Sequence, residues 1–126
     1  FAKIKSRQKA IFGLPGNPIS SAACFRFFVY PYLENLLGVN KERPIKVVLR
    51  NDFIKKENFT RFIKSNIYTT KNGKIEIEVL KGQESFRIKS FVKSNIWAMF
   101  PSGKSKFKKG ETVDCFLPNH SNKILF

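Results

Sequence analysis

Two prolines and two glycines fall within the six residues Gly13-Leu14-Pro15-Gly16-Asn17-Pro18. Neither a strand nor a helix runs well through such a stretch. Proline gives no N–H to a ladder, and glycine inside an element costs conformational entropy. The chain must turn here, and its flanks say what the turn joins. Upstream, Ala10 to Leu14 is a compact apolar run of strand type. Ile4–Lys5 reads as the end of an earlier strand, with the polar turn Arg7-Gln8-Lys9 between them. Downstream, Ile19, Ala22, Ala23, Phe27, Tyr30, Leu33, Leu36 and Leu37 recur at helical spacing, which predicts a helix over 18–37. Asn17 suits its N-cap, Pro18 its first position and Gly38 its terminator. Pro31 interrupts the pattern and predicts a kink or break near Val29–Tyr30.

A strand–turn–helix of this kind can hold a ligand as well as connect. Pro15 stiffens the turn, and Gly16 allows positive φ and leaves room for close approach. Ser20 and Ser21 lie in the first helical turn, where unsatisfied N–H groups favour an anion. The carboxyl end of a strand is also where open α/β sheets bind ligands. The plain alternative is a tight, capped connection that binds nothing.

From Ile45 onward the period changes from helical to alternating. Ile45, Val47 and Leu49 share one face. Ile75, Ile77 and Val79 alternate with Lys74, Glu76 and Glu78 just after the turn signal Asn72–Gly73. The run FTRFIKSNIYTT before that turn is the natural hairpin partner. SNIWAMF and ETVDCFL are further strand candidates, separated by the turn-rich PSGKSKFKKGE. Several short strands with turns between them predict a small all-β barrel or sandwich over 45–126.

The charge adds a preference for anions. The formal net charge is +15 over 126 residues, which attracts nucleic acid, acidic membrane surfaces or phosphorylated small molecules. Abundant Lys, Asn, Ile and Phe also fit an A/T-rich coding sequence, which would leave much of this charge on solvated faces. Cys24 and Cys115 are too few for a disulfide framework and read as free thiols. His120 stands without ligand spacing, so no metal site is expected. The apolar runs fall well short of the about 20 residues a bilayer requires. No leader-type segment is visible, and the expectation is a cytoplasmic protein with no membrane partner.

The stretch IFGLPGNPISSAACFRFFVYPYLENLLG resembles the signature of the MoeA family, the molybdopterin molybdenumtransferases, shared with the C-terminal domain of gephyrin. The likeness runs through Gly13 to Pro18, Ile19-Ser20, Phe25, Phe28-Val29, Pro31, Leu33, Leu36-Leu37 and Gly38. Weaker matches follow: Phe62-Ile63-Lys64-Ser65 to a family segment D-F-x-R-G-x-L, then Gly82-Gln83-Glu84-Ser85, Ser90, Asn95 and Gly110-Glu111-Thr112-Val113. The resemblance implies an α+β fragment. Residues 1–44 would be the tail of a MogA-like molybdopterin-binding α/β domain, and 45–126 the C-terminal β-barrel domain.

The activity so implied is insertion of molybdate into adenylylated molybdopterin with release of AMP, assisted by magnesium. The magnesium-holding acids and most of the homodimer contacts would lie upstream of Phe1, so the fragment is expected to be inactive alone. The substrate-binding residues implied are Gly13, Pro15, Gly16, Asn17, Pro18 and Ser20 in the turn, with Lys64, Ser85 and Ser90 in the β domain. No residue is singled out as catalytic. Lys64 stands where the family often has arginine, and brings a point charge without a planar fork. Arg61, Arg87 and Lys89 are further cleft candidates. Lys104, Lys106, Lys108 and Lys109 read as a solvated, mobile loop. A second function class is a basic nucleic-acid-binding module, using aromatics interleaved with cations in SFRIKSFVKSNIW. No RNP-like pattern, helix-turn-helix spacing or zinc motif supports it.

Overall fold

The computed structural model describes residues 2–4, 9–82 and 88–118. The chain divides into two units, Phe1–Lys41 and Glu42–Phe126.

In the first unit, strand β1 (Ala2–Ile4) pairs antiparallel with β2 (Lys9–Ile11), Lys3 opposite Ala10. The strand expected to reach Leu14 ends at Ile11. Lys9, expected in a turn, belongs to β2, whereas Arg7 and Gln8 lie outside the described residues. Helix α1 (Pro18–Cys24) passes into a π-helical turn (Phe25–Val29) and then into α2 (Tyr30–Leu36). Proline lacks the N–H for an i→i−4 bond, and its ring crowds the carbonyl four residues back. Here the chain meets Pro31 by widening one turn, with the Tyr30 N–H reaching the Phe25 carbonyl. The expected kink or break is thus a π turn, and helical structure continues on both sides. The end is a Schellman motif: Gly38 takes φ 66°, its N–H reaches the Asn35 carbonyl, and the Val39 N–H reaches Glu34. The rings of Phe12 and Tyr32 meet edge-on at 5.3 Å, pinning the chain after β2 to α2.

The second unit is built on a closed five-stranded barrel. Its strands are β3 (Ile45–Leu49), β5 (Arg61–Thr69), β6 (Ile75–Val79), β7 (Ile96–Phe100) and β9 (Thr112–Phe116). They run β3-β6-β5-β7-β9 and back to β3, with only the β3–β6 pair parallel. The alternation seen in the sequence fills the interior: Val47, Leu49, Ile63, Ile77, Ala98, Phe100, Val113 and Cys115 are buried together. The Asn72–Gly73 turn closes the β5–β6 hairpin, with Gly73 at φ 75°. A short ribbon, β4 (Phe53–Ile54) with β8 (Lys106–Phe107), was not legible in the sequence. It docks through aromatic rings, Phe53 at 4.5 Å and Phe107 at 4.8 Å from Phe100.

Helix α3 (Ile88–Lys93) was also unforeseen. It contacts β5, and its Phe91 ring lies 6.0 Å from Trp97. Trp97 is only 5% exposed. That indole is therefore closed to base stacking, which removes an aromatic anchor from the nucleic-acid reading.

Candidate functional site

The GLPGNP turn is set by its own hydrogen bonds. The Asn17 side-chain oxygen accepts from the N–H of Ile19 at 3.0 Å and of Ser20 at 3.2 Å. The Ser21 N–H donates to the Asn17 carbonyl at 2.9 Å, and the Ser21 hydroxyl donates to the carbonyl of Pro15. Pro18 has no N–H. The cap therefore engages every donor of the first helical turn, and this N-terminus keeps no backbone N–H for an anion. Gly16 does not use the positive φ that glycine allows. A Cβ at Gly13 or Gly16 would meet nothing within 4 Å. Gly13, Pro15, Gly16 and Pro18 are all exposed. The turn is a rigid, side-chain-poor wall, without charge of its own.

In the barrel unit, Lys64 is 2% exposed, and its ammonium donates to the Gly82 carbonyl at 3.2 Å. It tethers the strand to the segment after β6 instead of offering charge to an open cleft. Asn95 is equally committed to structure: its side-chain oxygen accepts from the Ile67 N–H at 2.8 Å. Ser90 lies within α3 and Lys89 is exposed on it, while Ser85, Arg87 and His120 fall outside the described residues.

An open cleft of about 370 Å³ at the head of β5 is lined by Lys56, Phe59, Thr60 and Arg61. Arg61 opens β5 opposite Phe100 and is exposed, as is Lys56. Phe59 is 60% exposed, so a face of its ring is open to solvent at the cleft. The Thr60 hydroxyl accepts from the Ser102 N–H at 3.1 Å, which fastens the cleft to the loop before β8. Two cations, an aromatic face and a hydroxyl suit an anionic ligand with a flat ring. Of these residues the sequence pointed only to Arg61. A signal for more existed: the Phe-x-Arg spacing of the family segment also occurs at Phe59–Arg61, just ahead of the Phe62–Ser65 placement.

The lysine-rich loop is organised rather than loose. Glu111 pairs with the Lys104 ammonium and accepts from the Lys108 N–H at 2.9 Å. Asp52 accepts from the Lys109 N–H at 2.8 Å and pairs with the Lys108 ammonium at 3.3 Å. The Lys109 N–H, then Lys108, hold the Asp52 carboxyl below the usual range, and Lys104 does the same for Glu111. Among the described residues, no three of His, Cys, Asp and Glu come together to hold a metal ion, and no helix is long and apolar enough to cross a membrane.

Comparison with known proteins converges on one family. The MoeA C-terminal region (domain IV) matches residues 46–117, the span of the barrel. A molybdopterin molybdenumtransferase of Staphylococcus aureus (strain N315) is 35% identical over 112 residues, which is 86% of this chain and 26% of that protein. The Staphylococcus epidermidis protein of the same name (strain ATCC 12228) is likewise 35% identical over 112 residues. Among solved structures, a molybdopterin biosynthesis MoeA protein from Pyrococcus horikoshii OT3 superposes with a TM-score of 0.67 at 28% identity, covering 81% of this chain and 26% of that one. A molybdenum cofactor biosynthesis protein from Pyrococcus furiosus gives 0.65 at 25% identity, covering 81% and 36%. The chain thus spans about a quarter of the length of the curated relatives it matches.

Proposed function

Because the chain belongs to the MoeA family, through that family's C-terminal region, we propose that it is the C-terminal part of a molybdopterin molybdenumtransferase. The observation that carries this reading is the family match falling on the closed barrel. In the reaction proposed, molybdate enters the dithiolene of adenylylated molybdopterin and AMP departs. Both substrates are anionic. Magnesium is implied by the family, but the described residues bring together no ligand set for it, so no step is assigned to it here.

Residues of this chain bind and orient. Arg61 and Lys56 supply positive charge at the cleft, Arg61 with the planar fork that Lys64 lacks. Phe59 supplies a face for a flat ring. Pro15 and Pro18, with Gly13 and Gly16 between and before them, supply a stiff wall that admits close approach, held in shape by Asn17 and Ser20. Ser85 and Ser90 remain hydroxyl donors to an oxyanion in this scheme. Residues 1–44 serve as the tail of the molybdopterin-binding α/β domain and 45–126 as the barrel domain. The longer protein works as a cytoplasmic homodimer, and this chain is inactive alone.

The test is Arg61→Ala in the full-length protein. Losing a charged hydrogen-bond partner of the substrate should raise KM for adenylylated molybdopterin about tenfold or more. An unchanged KM in a folded variant returns Arg61 to the solvated surface.

A further inference from the structure

Lys55 is a buried lysine just after β4, with only 6% of its surface exposed. Its ammonium donates to three carbonyls, those of Phe59 at 2.9 Å, Lys56 at 3.2 Å and Glu57 at 3.5 Å. An ammonium has three donors, and here each has an acceptor. The charge also lies 5.8 Å from the centre of the Phe107 ring. Residues 55–60 therefore curl around a single cation.

The curl is stitched to the loop before β8 from outside. The Lys55 N–H reaches the Ser105 carbonyl at 2.9 Å, and the Gly103 N–H reaches the Glu57 carbonyl at 3.0 Å. Ser102 completes the seam through the Thr60 hydroxyl. Every residue lining the cleft at the head of β5 either gives a carbonyl to this ammonium or follows closely on one that does.

We propose that Lys55 is the positioning residue of that cleft: by gathering the carbonyls of Lys56, Glu57 and Phe59, it fixes the loop that presents Phe59, Thr60 and Arg61 to the anionic ligand. The role rests on the reading of the cleft as an anion site. Lys55 itself faces inward and touches no ligand. Lysine suits the task because its three donors radiate from one atom toward the three carbonyls, a geometry that the wider, planar fork of arginine does not reproduce. Without the ammonium, the carbonyls turn to water and the loop opens. The barrel core, to which Lys55 does not belong, stays packed.

The experiment uses Lys55→Met and Lys55→Arg in the full-length protein, alone and combined with Arg61→Ala. Both Lys55 variants should raise KM for adenylylated molybdopterin about tenfold with kcat nearly unchanged. Combined with Arg61→Ala, the rise should fall short of the product of the two single effects, because the Lys55 substitution already displaces Arg61. In the 126-residue chain, the Ser102 and Gly103 amides of Lys55→Met should lose exchange protection while strand amides keep theirs. Should the Lys55→Met substitution prevent folding, the wild type still decides: the Lys55 ammonium protons must exchange more slowly than those of surface lysines. If Arg61→Ala raises KM and Lys55→Met does not, the positioning role falls while the cleft stands. Additive effects, or a fast-exchanging Lys55 ammonium, overturn it as well. If Arg61→Ala leaves KM unchanged, the cleft reading falls and takes this role with it.

Discussion

Replacing Phe100 by leucine should loosen the barrel unit and free its β4–β8 ribbon. Phe100 is fully buried, and its ring meets both aromatic rings of the ribbon, Phe53 and Phe107. Aromatic pairs of this geometry contribute about 0.5–1.5 kcal/mol each beyond area burial. Losing two of them, with leucine filling most of the space, costs about 2 kcal/mol; alanine, which also leaves a cavity, costs about 3–5 kcal/mol. The chain's single tryptophan, Trp97, sits buried in the same strand, so its fluorescence reports this unit's unfolding. With a urea m-value of about 1 kcal/mol/M for so small a unit, the midpoint should fall by roughly 2 M. Ile54→Ala is the control, because Ile54 lies on the same ribbon but is 70% exposed. Its cost should stay within about 0.5 kcal/mol. A Phe100→Leu midpoint no lower than that of Ile54→Ala would refute the bridging role. The matter reaches function because β4 leads directly into Lys55 and the cleft.

Two further outcomes follow from ionisation. The carboxyls of Asp52 and Glu111 are held below the ordinary range by backbone and lysine donors. Their stabilising effect is therefore present above the usual carboxylate pKa and is lost as pH falls through the depressed values. Acid unfolding of the wild type, followed by Trp97 fluorescence below about pH 4, should be steeper than that of the Asp52→Asn/Glu111→Gln variant; identical acid limbs would contradict this. Burial, then the charge of Asp114, pushes the Cys115 thiol up to about 12. A thiol reagent at neutral pH should label Cys115 only after denaturant is added, and native labelling at the unfolded rate would show its strand to be open.

The elements that could be read from the sequence are those where one local rule governs. Alternation at Ile45–Leu49 and Ile75–Val79 marked two barrel strands, and Asn72–Gly73 marked the hairpin between β5 and β6. Asn17, Pro18 and Gly38 marked both helix ends. The misses have non-local causes. The π turn depends on how the chain relieves Pro31, which spacing alone does not decide between breaking and widening. Helix α3 is a single short stretch, and its apolar residues Ile88, Phe91 and Val92 sit at helical spacing over too few residues to mark it. The ribbon β4–β8 joins two-residue strands that are far apart in sequence and held by Phe100. Lys64 and Lys55 are the sharper lesson. In sequence they are two lysines in a strongly basic chain, yet both are buried, one on the Gly82 carbonyl and one inside a turn. Burial by distant segments decides which cations remain open, and it leaves Arg61 and Lys56 at the cleft.

The proposal that this chain is the C-terminal part of a molybdopterin molybdenumtransferase is open to refutation. Its most direct test supplies the full-length protein with adenylylated molybdopterin, molybdate and magnesium, and reads both AMP release and reconstitution of a molybdenum-free apoenzyme. AMP release coupled to reconstitution is expected, and neither from the 126-residue chain alone. A folded full-length protein that yields neither, or an isolated chain that yields both, contradicts it.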